Sequence, residues 1–358
     1  MARITKSCMV SLKWVGIIVL SLMAALFVIR WIGRGINKRI PEGGIHASMY
    51  VDVNGSKQWI NVYGQDRNNP VLLYLHGGPG SATSLFDYAF TRKWSDVYTV
   101  VTWDQRGCGK SYDKSRPETI TADIMMQDGK ALTEYLREFL HVDKITLLGH
   151  SWGSYLGANL ALAYPEYYEA FIGTGQFIDT DENERRLCEA ALVWSDNDPE
   201  GREMVDQWAR SREQGEDDYL LRNTIMDRYG YGMMKDGRDY SLFMTVLCNP
   251  YYSLKEIWNS IRHEDDKFVP YRFFLKSDGF RKKMSLLGRY DYAVPYYNIN
   301  GDMDYQTNFE LACEYFSQVN APEKELLVLK NATHGLLESR SGEFSALLHR
   351  MAASLHKQ

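Results

Sequence analysis

Short, nearly unbroken apolar runs alternate along the chain with stretches whose apolar residues recur every three or four positions. "PVLLYLHGGPG" (70–80), "YTVVTWDQRG" (98–107), "KITLLGH" (144–150) and "YEAFIGTG" (168–175) each end in glycine or turn residues, as buried strands do. Between them, "ITADIMMQDGKALTEYLREFL" (120–140) has helical spacing with Thr121 as its N-cap, and "GSYLGANLALAY" (153–164) predicts a small-residue helix. Upstream, "SMYVDVNGSKQWINVYG" (48–64) predicts a hairpin about Asn54-Gly55. Downstream, "VPYYNIN" (294–300) and "KELLVLK" (324–330) return to strand, and "SGEFSALLHRMAASLH" (341–356) closes as an amphipathic helix.

Strands that are apolar on both faces, alternating with helices, imply a mostly parallel sheet with helices on both sides. The rhythm breaks between 176 and 290, where "ENERRLCEAALVW", "REMVDQWARSRE" and "SLKEIWNSI" are helical, polar and aromatic. A stretch of that length is far too long for a connection. It is expected to be a helical cap, residues 176–290, inserted in an α/β core made of 47–175 and 291–358.

The most apolar run, Trp14 to Ile29, lies in residues 1–39, which form an N-terminal membrane anchor with its basic flank. Met9 to Ile29 approaches the length that spans a bilayer. A cleaved signal and a buried helix are the alternatives. Against the first, the run is long and no small-residue cleavage site follows it. Lysine and arginine flank both ends, so charge assigns no membrane side. Residues 34–47 are expected to be a tether.

Composition narrows the classes further. The 358 residues are 45% hydrophobic and 13% aromatic, which excludes disorder. Net charge is −5, and residues 1–39 hold seven Lys and Arg with no Asp or Glu, so the body is acidic. Nothing points to nucleic acid as a partner. The 5 cysteines are scattered without metal-ligand spacing and are expected to be free thiols. No metal or organic cofactor is implied.

The chemistry centres on "ITLLGHSWGSYLG" (145–157). Gly149-His150-Ser151-Trp152-Gly153 fits G-x-S-x-G, the turn that exposes a nucleophilic serine between a strand and a helix. Side chains at 149 and 153 would collide with adjoining backbone. The turn also leaves the first N–H groups of the helix free for a developing oxyanion. "HGGPG" (76–80) ends an earlier strand in backbone that can approach a substrate carbonyl. Gly78 is the expected donor there, with the Trp152 N–H as its partner. In this arrangement the acid and then the histidine follow the serine in the chain. His334 lies in a loop after "KELLVLK", where the base belongs; His349 and His356 lie in the final helix and at its frayed end. Asp302 and Asp304 both follow "VPYYNIN", and Asp304 is preferred, with Asp302 shaping the turn. His76 and His150 are read as structural, His76 bracing the glycine loop. "DQRGCGKS" (104–111) lacks the first glycine of a phosphate loop. It is read as a loop shaped by glycines and an Asp–Arg pair.

"HGGPG", "DQRGCGKS", "GHSWGS", the long cap, "GDMDYQT" and the loop histidine together resemble the α/β-hydrolase superfamily, and within it the proline iminopeptidase-like serine peptidases of family S33. The resemblance covers about residues 47 to 355. It implies a triad of Ser151, Asp304 and His334 with Gly78 and Trp152 as oxyanion donors. It further implies an aminopeptidase acting through an acyl-enzyme on short peptides or amino-acid amides. In that group cap carboxylates hold the substrate's free amine; here Glu184 and Glu189 are the candidates. His150 departs from the glycine usual before that serine. The alternatives are a membrane-anchored carboxylesterase or lactonase with the same triad, and a non-catalytic binding member of the fold.

Overall fold

Each short apolar run downstream of residue 44 becomes a strand. β1 (Ile45–Val53) and β2 (Ser56–Gly64) form the predicted hairpin, with Val53 opposite Ser56 across Asn54-Gly55. Both turn residues have positive φ, 49° and 74°, which the tight two-residue turn requires. β3 (Val71–Leu75), β4 (Thr99–Asp104), β5 (Ile145–His150), β6 (Tyr168–Thr174), β7 (Tyr296–Gly301) and β8 (Lys324–Leu329) pair in parallel. The single sheet has 8 strands in the order β1-β2-β4-β3-β5-β6-β7-β8, antiparallel only where β2 meets its two neighbours. This computed structural model describes residues 6–113, 119–214, 216, 218–262, 271, 275 and 284–355.

Alternate strand residues feed two apolar layers, because successive side chains point to opposite faces. Val71, Leu73 and Leu75 pack with Met125, Leu132 and Leu136 of α2 (Ala122–Leu140) and with Leu156 and Leu160 of α3 (Trp152–Ala163). Leu72 and Tyr74 face the other way, onto Phe90, Trp94, Phe344 and Leu348. Thr121 caps α2 as expected, its hydroxyl accepting from Ile124 N at 3.1 Å.

Between β6 and β7 lie α4 (Thr180–Trp194), α5 (Pro199–Glu213), α6 (Tyr219–Arg228), α7 (Leu242–Leu247) and α8 (Leu254–Arg262). α4, α5 and α6 share a small core of their own: Leu187, Ala191, Val205, Trp208, Ile225 and Met226. Apart from 271 and 275, the stretch 263–283 of the expected cap lies outside the described residues. After β7 come α9 (Phe309–Gln318) and, at the end, α10 (Ser341–Leu355).

The long apolar run at the start is α1 (Lys6–Asn37), and its residues from Lys13 to Asn37 are long and apolar enough to cross a membrane. The expected tether is shortened to residues 38–44. α1 runs on through Asn37 and β1 begins at Ile45, because side chains of the last helical turns find partners on the body. Cys108, Cys188, Cys248 and Cys313 are free thiols.

Candidate active site

All the sequence-derived triad residues emerge at the carboxyl edge of the parallel strands, where functional groups of such sheets gather. Ser151 follows β5. It sits at φ 57° and ψ −123°, a conformation that a non-glycine residue adopts only when its surroundings enforce it. They do. The Ser151 N–H donates to Thr174 O at 3.0 Å, at the end of the neighbouring strand. A Cβ at Gly149 would overlap the Gly153 carbonyl, and one at Gly153 would overlap the Leu75 carbonyl. The glycines are therefore a consequence of three backbones crossing within contact distance.

His334 and Asp304 come from the loops after β8 and β7. His334 Nδ1 lies 2.7 Å from Asp304 Oδ2, and both side chains are almost wholly buried, 2% and 1% exposed. Asp304 is fixed in turn by Thr307, whose N–H and hydroxyl donate to its two oxygens, each at 3.0 Å. A carboxylate accepts, so His334 carries its proton on Nδ1 and leaves Nε2 as the acceptor. Asp302 instead accepts from Asn331 N at 2.7 Å and shapes the turn. Gly175, after β6, is where His334 approaches the elbow: a Cβ there would stand 2.8 Å from His334 Cε1 and 3.3 Å from His150 Cδ2. Among the described residues no hydrogen bond joins Ser151 Oγ to His334 Nε2. Such contacts commonly tighten only when substrate is bound.

The glycine loop after β3 passes directly beside the serine, since a Cβ at Gly77 would lie 3.0 Å from Ser151 Cβ. Gly78 has φ 118°, open to glycine alone, with a cis bond to Pro79. His76 braces this loop. Its Nε2 accepts from Gln105 N at 3.3 Å, so its Nδ1–H donates to Gly77 O at 2.8 Å. Burial pushes the His76 imidazole down to about 4.

Three residues gain roles that no local pattern signalled. Gln105 joins the glycine loop to the elbow helix: its Nε2 donates to His76 O at 3.2 Å and its Oε1 accepts from Trp152 Nε1 at 3.1 Å. Arg106 pairs with Asp128 of α2 at 2.6 and 2.8 Å, rather than with an aspartate of its own loop. Asp104 is already taken by Ser84 Oγ and the Lys110 N–H, each at 2.7 Å. His150 packs on His334, with ring centroids 4.7 Å apart, and its Nε2–H donates to the His334 carbonyl at 3.0 Å. Burial first, and the neighbouring His334 second, push His150 down to about 3. His150 is therefore neutral at pH 7.

The two cap carboxylates are differently placed. Glu184 is 12% exposed; its Oε2 accepts from Arg222 Nε at 2.8 Å and its Oε1 from Asn183 Nδ2 at 3.1 Å. Arg222 also donates to Gln306, two residues from Asp304, at 2.7 Å. Glu189 is 61% exposed and is paired with Arg185. Both oxygens of Glu184 are thus engaged, whereas Glu189 is an exposed surface pair.

Residues 70–220 match the family model described as the alpha/beta hydrolase fold. With the strand order and the serine turn, this match gives the chain the alpha/beta hydrolase fold. The probable aminopeptidase YbaC of Bacillus subtilis (strain 168) is 25% identical over 318 residues, covering 82% of this chain and 93% of that protein. A proline iminopeptidase of Neisseria meningitidis serogroup A is 35% identical over 120 residues, which is 33% of this chain and 37% of that relative's length. Among solved structures, the proline iminopeptidase of Mycobacterium smegmatis superposes with a TM-score of 0.62 at 20% identity, covering 86% of this chain and 98% of that one. At that identity the likeness is one of fold.

Proposed function

We propose that this α/β hydrolase is a serine hydrolase acting through an acyl-enzyme, and that its substrates are short peptides or amino-acid amides. The observation that carries the proposal is the buried Asp304–His334 pair at 2.7 Å, set at the same sheet edge as the strained Ser151. In the proposed reaction, His334 Nε2 takes the Ser151 proton as Oγ bonds to the substrate carbonyl carbon. The oxyanion is met by the backbone N–H groups of Gly78 and Trp152. Collapse breaks the C–N bond, and the leaving amine takes the proton from Nε2. Water then repeats the sequence on the acyl-enzyme and frees Ser151. Asp304 keeps the ring in the tautomer that both half-reactions need. The substrate class follows the names of the relatives, YbaC above all, since its match runs nearly end to end.

We further infer that α1 is an uncleaved single-pass anchor. Its apolar residues are almost wholly exposed, unlike those of a core helix. Cleavage behind it would break the hydrogen bonds that Arg30, Arg34 and Asn37 make to the body.

A second reading, a membrane-anchored carboxylesterase or lactonase with the same triad, is favoured by one observation: both oxygens of Glu184 are engaged and Glu189 is a surface pair. The full chain in detergent micelles separates the two. Free-amine Pro-, Ala- and Leu-arylamides, their N-acetyl forms and short acyl esters are compared, with Ser151→Ala as control. Turnover of the free-amine arylamides alone establishes the aminopeptidase. Turnover of esters alone selects the second reading, and a Ser151→Ala variant as active as the native chain rejects both.

A further inference from the structure

The end of α1 is built into the cap. Arg30 Nη2 and Arg34 Nη1 both donate to Tyr252 O, at 2.7 and 2.9 Å, Arg34 Nη2 to Pro250 O at 3.1 Å, and Asn37 Nδ2 to Cys248 O at 3.0 Å. Arg30 also reaches Leu247 O, and Arg92 holds the Asn37 carbonyl. Gly33 packs so closely on Cys248 that a Cβ would overlap its sulfur. Segment 247–252 is therefore level with residues 30–37 of the helix, and the joint has no slack.

The two helices that flank this segment turn apolar side chains outward. Leu242, Phe243 and Met244 form the first turn of α7, and Phe243 is 62% exposed. On α8, Leu254 and Trp258 lie one turn apart on one face, Trp258 61% exposed, while Ile257 points into the protein. Lys255 and Arg262 of the same helix are exposed beside them. Such a helix, apolar towards two partners and edged with cations, has the composition of an interfacial one.

We propose that α7 and α8 form a collar that dips into the interfacial zone of the bilayer crossed by α1, with Phe243, Met244, Leu254 and Trp258 as its buried residues. The proposal rests on the anchor reading of α1. The occupant follows from position. The apolar stretch from Trp14 to Ile29 ends at Arg30, and at about 1.5 Å per residue it covers most of a hydrocarbon core. The headgroup layer must then begin within about a turn of Arg30, at the depth of segment 247–252. Trp31, 78% exposed, stands where interfacial tryptophans stand. Lys38, Arg39, Lys255 and Arg262 supply the cationic edge that an anionic lipid surface attracts.

The test uses the full chain in bilayer discs of equimolar phosphatidylcholine and phosphatidylglycerol. A photoreactive benzoylphenylalanine replaces Phe243, Trp258, Trp14 or Val193 in turn, and adducts are identified by mass spectrometry. Val193, exposed on α4, is the aqueous control. The collar predicts lipid adducts at 14, 243 and 258, each about tenfold above 193. Lipid adducts at 14 but only control levels at 243 and 258 would overturn the collar and leave the anchor standing. No lipid adduct at 14 would reject the anchor itself. Protein–protein adducts at 243 or 258 in place of lipid would overturn the collar in favour of a face between two copies of the chain.

Discussion

The carboxyl edge of the sheet and the cap are held together by opposite means. At the edge, backbones touch: Gly149, Gly153 and Leu75 cross without room for a side chain, and apolar layers fill both faces behind them. In the cap, one small apolar cluster is wrapped in ion pairs, Arg185 with Glu182, Arg186 with Glu182 and Glu314, Arg222 with Glu184, Arg228 with Asp198. The joint between the two regions is polar as well. Asn183 Oδ1 accepts from Asn308 N at 2.6 Å, and Arg222 and Asn183 converge on the Gln306 carbonyl, each at 3.2 Å. Close packing fixes the backbone around Ser151. Polar contacts at Gln306 and Asn308, with the rings of Trp194 and Tyr231 against Tyr305, seat the cap beside Asp304.

The contrast can be broken first at the chemistry. Ser151→Ala is expected to lower kcat on the order of 10⁴-fold or more while leaving the circular dichroism spectrum unchanged. Retained turnover would remove Ser151 from its role. Next comes the polar joint. Arg222→Met leaves Glu184 with an uncompensated buried charge, which costs about 3–5 kcal/mol when one partner of such a pair is lost. Chemical denaturation should show the loss, and turnover should fall with it because the Gln306 end of the acid loop is released. A native midpoint would mean that the cap is seated by its apolar cluster alone.

A smaller effect per pH unit comes from the buried histidines His150 and His76. His150 is pushed down to about 3 from 6.5, so the unfolded chain binds its proton first. That contribution to stability is complete above pH 6.5 and is lost as pH falls towards about 3. The slope from this one group reaches about 1.4 kcal/mol per pH unit. His76, pushed down to about 4, adds a slope of the same sign. Denaturation midpoints across this range should fall less steeply for His150→Gln than for the native chain, and identical slopes would refute the assignment. Least of all is expected from Glu189→Gln. An exposed pair on the cap surface contributes little, so midpoint and turnover should both stay where they are.

Much of the edge was legible because local pattern carries it. An unbroken apolar run into Gly-His-Ser-Trp-Gly needs no distant partner to be a strand, a turn and a helix. The order of Ser151, Asp304 and His334 along the chain placed the last two after β7 and β8. What the pattern concealed is pairing at long range. G-x-S-x-G leaves its second position unconstrained, and the partner of His150 lies 184 positions away. The arginine of "DQRGCGKS" has an aspartate two residues before it, yet Asp104 accepts from Ser84 and Lys110, and Arg106 turns to Asp128. Acidic residues in the cap are visible in composition; the arginines that pair with Glu182, Glu184, Glu189 and Asp198 are not. The tether is shorter than the sequence suggests for the same reason, since Arg34 and Asn37 find their acceptors more than two hundred positions downstream.

The slackless joint of Arg30, Arg34 and Asn37 bears on how the protein meets its substrates. A body hung on a flexible stalk would tumble and sample solution like any dissolved enzyme. On the proposed anchor reading of α1, a body joined this closely to its membrane helix keeps one height and one tilt, and its free motions are sliding along the sheet of lipid and spinning about the normal. Encounter then becomes a search in a plane. Molecules that collect at that plane are met at a concentration set by partitioning rather than by bulk supply, and always from the same side.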